Sequence, residues 1–362
     1  MNRLLNIFHA LRPRFEGDGP LGKLEPVFAA AEGLLFAPGD RTGASPHIRD
    51  PLDVKRYMAL VILALLPCLA AAVYFFGLRV LAMVAASYVA GGTVEVAIAI
   101  IRGDEINEGF LVTGLIFPLI LPPALPLWMV AVGSAFGVLV GKELFGGTGR
   151  NLFNPAMVGR CFLALSYPAA MSSGWIRPGH NLAGRLTQYV DASCVDALSS
   201  ATPLGAAKHG ELAPWLDVVA GAVPGCAGET SAVAVTLGGA FLLLVGISNW
   251  RTVVATLGSF AALNTVLHLS LPGSFGPTLW QLVAGGFLFG AFFMATDPVT
   301  APTTNLGKWV YGTLIGSLTV LIRGLTGYVE GVMFAILLGN TCAPLIDDVA
   351  IRLRLRRLRD ER

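Results

Sequence analysis

The string Asp196-Ala197-Leu198-Ser199-Ser200-Ala201-Thr202 sets an acid and three hydroxyls among small side chains, directly before Pro203. The chemistry open to such a string is ester formation on a side-chain oxygen. Small neighbours let a modifying enzyme reach the hydroxyl. A lone Ser or Thr before proline is more often a plain turn residue, so the specificity lies in the whole string. A second candidate is Glu95, which follows Gly91-Gly92-Thr93-Val94 inside an otherwise apolar run. A carboxylate at bilayer depth costs roughly 2.5–3.5 kcal/mol on insertion scales, which makes it a functional candidate unless it snorkels, here towards Arg102. Asp297 ends another apolar run, with Pro298 after it and Thr300, Thr303 and Thr304 nearby. These are hard oxygen ligands of the kind a sodium ion takes, and a turn or cap is the plainer alternative. The run from Gly146 to Asn151 lacks both the Gly-Lys-Ser/Thr ending and the third glycine of a dinucleotide loop, so it is no phosphate cradle. Its Asn151 and the later Asn154 stand at i and i+3 and share a face if the segment is helical; helix capping is the alternative.

The elements that position these residues are membrane spans. Of 362 residues, 54% are hydrophobic and 13% charged, against roughly 25% charged in soluble domains. A net charge of +2, with no aromatic-basic stripe, excludes a nucleic-acid binder. The cysteines Cys68, Cys161, Cys194, Cys226 and Cys342 form no CxxC and no His/Cys cluster, so neither a metal site nor a disulfide framework is expected. The first 56 residues are polar and basic, which is not the pattern of a cleavable signal peptide; insertion is expected to use the spans themselves.

With about 20 apolar residues per crossing, about ten candidate spans fall near 57–77, 80–101, 110–121, 125–140, 155–171, 231–245, 253–271, 279–295, 309–325 and 329–345. Several are short or broken, notably at Pro118 and Pro122-Pro123, and such breaks need protein or a polar cavity to satisfy the freed backbone. Arginine and lysine crowd both ends, from Arg3 to Arg56 and from Arg352 to Arg362, which predicts cytoplasmic termini and an even number of spans. Leu127-Trp128 and Leu279-Trp280 each open a span with an echoing small-residue pattern. The expectation is an all-α polytopic membrane protein of two inverted five-helix repeats with broken helices, a transporter-like architecture. The divisions are a cytoplasmic segment 1–56, a first repeat 57–171, an outward loop 172–230, a second repeat 231–346 and a basic cytoplasmic tail 347–362. Leu4, Leu5, Ile7, Phe8 and Leu11 alternate with basic residues, so the N-terminal segment reads as an amphipathic helix on the lipid surface or as a dock for a partner protein.

The string ending at Thr202 resembles the flavin-transfer motif, in which a flavin transferase esterifies a threonine hydroxyl with the phosphate of FMN. Further likeness runs through the segments His47–Met58, Gly141–Pro155, Phe293–Val299, Glu330–Met333 and Ala343–Asp347. Together they resemble the NqrB/RnfD family, whose members are membrane components of the sodium-translocating NADH:quinone oxidoreductase (Nqr) and of the Rnf complex. The long N-terminal segment favours the Nqr side. The loop between Tyr167 and Asp196 is longer than the family's.

The resemblance implies covalent FMN on Thr202, with Asp196, Ser199, Ser200 and Ala201 read by the transferase. It implies non-covalent riboflavin at Asn151 and Asn154, whose amides each offer donor and acceptor. It places a quinone or inhibitor region at Gly91 and Gly92, and a sodium path at Glu95, Asp297, Asp347 and Glu32. The last two stand near cytoplasmic boundaries, where solvated carboxylates are common. It also implies a six-subunit complex in a bacterial inner membrane, passing electrons from NADH to ubiquinone while sodium moves outward. No NADH fingerprint occurs, so a partner in the complex is expected to oxidise NADH. A flavin-free transporter or channel of the same architecture is the rival, and it leaves the flavinylation string unexplained.

Overall fold

The computed structural model describes residues 54–103, 109–173, 175–176, 178, 202–208, 210–271 and 275–360. Glu32, Asp196, Ser199, Ser200 and Ala201 lie outside the described residues. Every regular element among the described residues is a helix. Five are long and apolar enough to cross a membrane, where about ten spans were expected; the other elements are shorter, less apolar or broken.

Among the described residues two long helices come first, α1 (Val54–Phe76) and α2 (Arg79–Arg102), the latter closed by Gly103 in the left-handed region that glycine tolerates. The short α3 (Gly109–Leu119) ends in the Pro122-Pro123 turn before α4 (Leu127–Gly141). A 3-10 turn at Glu143–Phe145 leads to α5 (Pro155–Ser166) and α6 (Pro168–Ser173). Two short helices, α7 (Pro203–Ala207) and α8 (Trp215–Ala220), precede α9 (Ala232–Val245) and α10 (Trp250–Ser270). The next element is broken: α11 (Thr278–Val283) is followed by a turn and then by α12 (Phe287–Phe289), which runs into a π-helical turn, Gly290–Met294. The chain closes with α13 (Asn305–Leu325) and α14 (Val332–Asp360). Helix α14 continues beyond residue 347 into the basic stretch expected as the tail, and its last turns are exposed and arginine-rich.

The packing order repeats. Helix α2 lies against α3 and α4, α4 against α5, and α3 against α1 and α5. In the later half α10 lies against α11 and α13, α13 against α14, and the π-turn against α9 and α14. The halves meet where α1 packs on α9 and α5 on α14.

Small residues permit these approaches, since lipid-embedded helices gain from close backbone contact. A Cβ on Gly159 would lie 2.5 Å from the Gly133 carbonyl oxygen on α4. The breaks are satisfied by buried arginines, as the lipid phase requires. Arg79 donates to the carbonyls of Pro123, Ala124 and Leu125 at 3.0–3.2 Å. Arg323 donates to the carbonyls of Gln281, at 2.7 Å, and Ala284, at 3.2 Å, across the α11–α12 break.

Candidate functional site

Two cavities hold most of the chemistry, and α5 joins them. Its N-cap Asn154 borders one, and Arg160 and Ala164, further along the same helix, border the other. Six residues at 1.5 Å rise separate Asn154 from Arg160, or about 9 Å along the axis.

The first cavity, of about 80 Å³, is lined by Tyr57, Lys142, Asn151, Asn154, Thr296 and Asp297 among others. The two asparagines do come together, though the segment between them is not helical, so the shared face comes from a turn. Asn154 caps α5 by accepting from the Ala156 N–H at 3.0 Å, with Pro155 at the first helical position. Its amide nitrogen faces Asp297 Oδ2 at 3.4 Å. Asp297 makes the matching turn in the other half, accepting from the Val299 N–H at 3.1 Å across Pro298. Asn151 Nδ2 donates to the Phe153 carbonyl at 3.0 Å. Thr303 and Thr304, expected near Asp297, serve Asp347 instead. The Asp347 carboxylate accepts from both of their backbone N–H groups, at 2.7 and 3.0 Å, and from both hydroxyls, so α14 ties down the start of α13.

Glu95 does not snorkel towards Arg102. It is buried and paired with Lys142 Nζ at 2.7 Å, while Arg102 turns to Glu143 at 3.4 Å. Lys142 went unnoticed in the sequence, although a lysine closing an apolar span opposite an intramembrane acid is a legible signal. Gly91 has a packing duty: a Cβ there would lie 2.7 Å from Ser134 Oγ, beside the Ser87–Ser134 hydrogen bond linking α2 to α4. Gly92 is more open, its nearest neighbour being Phe110 at 3.9 Å.

The second cavity, of about 310 Å³, has Thr202 on its wall. Thr202 is half-buried and caps α7, its Oγ1 accepting from the Gly205 N–H at 3.2 Å. Lys208, at the other end of α7, fastens that helix by donating to the carbonyls of Thr326 and Tyr328, both at 2.8 Å; partial burial draws its ammonium below the ordinary value.

Deeper in this cavity lies an ion cluster that the sequence patterns did not reveal. Arg160, 5% exposed, reaches Glu229 Oε1 at 3.1 Å, Glu330 Oε2 at 2.6 Å and Cys226 Sγ at 3.4 Å. The acceptor atoms of Cys226, Glu229 and Glu330 lie within 4.8 Å of one another. The guanidinium already bonds all three, so the cluster carries its own cation. Burial pushes the Cys226 thiol well up, which keeps it protonated. Glu330 Oε1 accepts from the Gly286 N–H at 2.9 Å, closing the α11–α12 break opposite Arg323. Gly285 there has a positive φ of 71°, and a Cβ would lie 2.7 Å from Glu330 Oε1, so only glycine suits the position. The Glu229 loop is pinned to the broken end of α3 by Ala227 N–H to the Leu121 carbonyl, at 3.0 Å, and Gly228 N–H to the Leu119 carbonyl, at 2.7 Å. Burial pushes the Glu229 carboxyl up to about 7, Arg160 pulling it back and Glu330 adding to the rise. Its Oε2 has no hydrogen-bond partner among the described residues. Arg160 inside an apolar span was the available signal, by the same rule that marks Glu95.

The chain is similar to proteins named as the B subunit of Na(+)-translocating NADH-quinone reductase. It is 37% identical to that of Azotobacter vinelandii, covering 95% of each chain. It is 36% identical to that of Pseudomonas paraeruginosa and 35% to that of Klebsiella pneumoniae, covering 98% of each chain in both cases. Residues 41–355, which include every element of both cavities, match the family described as NQR2, RnfD, RnfE, and the chain belongs to that family.

Proposed function

We propose that this chain is the B subunit of a sodium-translocating NADH:quinone oxidoreductase, with FMN esterified to Thr202 and its ring seated in the adjoining cavity. The observation that carries the reading is Thr202 itself: its hydroxyl stands on the wall of a cavity whose depths hold a buried ion cluster with one unsatisfied carboxylate oxygen. The volume, about 310 Å³, meets the lower end of the roughly 300–1,000 Å³ typical of ligand pockets. Trp175, Tyr328 and Phe334 offer aromatic wall. The flavin supplies one- and two-electron chemistry when bound; the chain positions it and sets its electrostatic surroundings.

The other cavity suits a cation better than a second flavin. About 80 Å³ is far below ligand-pocket size, and the Asn151 and Asn154 amide nitrogens already face protein oxygens. Riboflavin, expected at Asn151 and Asn154, is the less suited occupant of a space that small. Asp297, the two amides and the threonines Thr113, Thr148 and Thr296 supply oxygens for a sodium ion and a few waters. The proposed path leads from Glu95 beside this cavity through Asp297, with Asp347 and Glu32 at its cytoplasmic mouth. Gly91 and Gly92 are proposed for the quinone region. The remaining members of a six-subunit complex, ubiquinone and a flavin transferase are the proposed partners.

The repeated packing order supports two inverted five-element halves, 57–171 and 231–346, in a bacterial inner membrane with both termini cytoplasmic and the loop 172–230 outside. It pairs α4 with α13 and broken α3 with broken α11–α12, not α4 with α11 as the Leu-Trp echo would have it.

The test is intact mass of the chain co-expressed with its flavin transferase. The expected result is one FMN, less one water, on the unsubstituted chain and none on Thr202→Ala. An unmodified mass for both overturns the reading in favour of a permease.

A further inference from the structure

Glu229 sits at the meeting point of three parts of the molecule. Arg160 reaches it from α5, its own loop is pinned to the end of α3, and Glu330 just before α14 shares the same guanidinium. It is 4% exposed, lines the cavity that also holds Thr202, and keeps one oxygen without a partner among the described residues. An unsatisfied buried carboxylate oxygen costs about 1–3 kcal/mol or more. Arg160 bonds only Oε1 of Glu229, its other terminal nitrogen being committed to Glu330 and Cys226. The unpartnered oxygen is itself buried against Gly286, so its charge is relieved most readily by taking a proton.

We propose that Glu229 is the redox-linked proton-binding group of this cavity, clamped by Arg160 in the wall beside a flavin ring carried on Thr202. The inference rests on the flavin reading above. The cavity can sense one added charge because the opposing charges around it are nearly balanced. The groups facing Glu229 are Arg160 from α5, Cys226 from its own loop and Glu330 before α14; Arg323 from α13 interacts with it electrostatically. Two guanidinium groups offset two carboxylates, so an electron placed on the ring upsets the balance. Glu229 then takes one proton from the aqueous side and becomes a neutral carboxylic acid. One electron, supplied from NADH through the rest of the complex, is matched by one proton, and no bond of the ring is made or broken by Glu229. Glu330 is the poorer acceptor because both its oxygens are engaged, by Arg160 and by the Gly286 N–H. Cys226 is already a thiol. Glu229 is thus a positioning and charge-setting residue.

The experiment is a redox titration of the purified complex at pH 5.5 and 8.5, with and without Glu229→Gln, alongside intact mass of the chain. The wave lost in Thr202→Ala identifies the flavin concerned. At pH 8.5 the substitution removes a negative charge beside the ring, so the midpoint potential should rise. The expected rise corresponds to at least a tenfold change in the redox equilibrium, about 59 mV for a one-electron couple. At pH 5.5, where Glu229 is already protonated, the two proteins should converge. Equal potentials at both pH values, with FMN present by mass, overturn this inference alone. A chain without FMN overturns it together with the flavin reading. Should Glu229→Gln fail to assemble, Glu229→Asp replaces it. Its carboxylate is withdrawn by one methylene, so a smaller shift of the same sign at pH 8.5 supports the assignment and an unchanged potential overturns it.

Discussion

Neutralising one member of the Glu95–Lys142 pair strands the other charge in an apolar surrounding. Both side chains are at most 5% exposed, and breaking such a pair from one side costs on the order of 3–5 kcal/mol, whereas replacing both members by apolar residues is often neutral. Glu95→Gln and Lys142→Met should each lower the thermal midpoint of the purified complex, and the double variant should recover most of the loss. A double variant as unstable as the worse single would remove the pair from the account of stability. Sodium-stimulated turnover, measured on the folded double variant, then reports transport separately; unchanged stimulation takes Glu95 off the sodium path. Asp347 invites a similar separation. It is the acceptor for two N–H groups and two hydroxyls at the start of α13. Hydrogen bonds to a charged group contribute about 1.5–3 kcal/mol each. Asp347→Ala should therefore reduce stability by several kcal/mol in denaturant titration even where sodium uptake is not assayed.

At the scale of elements, small residues decide which helices touch. Gly137 and Gly159 bring α4 and α5 into backbone contact, the Gly137 position facing the Pro155 carbonyl and Gly159 the Gly133 carbonyl. Gly258 on α10 has nothing within 4 Å of a notional Cβ. Gly159→Leu should prevent accumulation of folded chain, read by size-exclusion profile after detergent extraction, while Gly258→Ala should leave the profile unchanged and gain roughly 1 kcal/mol of helix propensity. Equal behaviour of the two would show that the α4–α5 approach is not needed. The π-helical turn at Gly290–Met294, where the Ala295 N–H bonds to the Gly290 carbonyl at 2.8 Å, is a second element-level device. Such turns recur at functional sites, and this one delivers Phe293, Thr296 and Asp297 to the smaller cavity.

Across the whole molecule, the Arg160 cluster fastens the two halves. Arg160 belongs to the early elements, Glu330 to the late ones, and Glu229 to the loop that enters the second half. Arg160→Met leaves two carboxylates and no shared cation, and a loss of 3–5 kcal/mol is the expected order. Limited proteolysis in the 172–230 region should accelerate accordingly; an unchanged cleavage rate would mean that the halves are held elsewhere. Helix α5 gives the molecule its second global property, because it runs from one cavity to the other over about 9 Å.

Much of this was open to reading in one dimension. Apolar runs located the longer helices, because crossing a bilayer demands internally satisfied backbone and little charge, although only five among the described residues proved long and apolar enough to cross. The hydroxyl string singled out Thr202, which lines the larger of the two cavities described. Asn154 and Asp297 were picked out as polar residues beside prolines at the ends of apolar runs. What remained hidden were pairings between distant positions. Lys142 stands 47 residues from Glu95, Glu229 is 69 residues from Arg160 and Glu330 is 170 from it. No periodicity relates such positions; each charge found its partner only when the helices packed, because burial in a medium of low dielectric leaves an unpaired charge too costly. Thr303 and Thr304, close to Asp297 in sequence, likewise found Asp347 only when α14 packed against the start of α13. Composition and local pattern were enough to specify a membrane protein, whereas the closing of two broken helices around buried arginines determined that Glu229 and Glu330 would share Arg160.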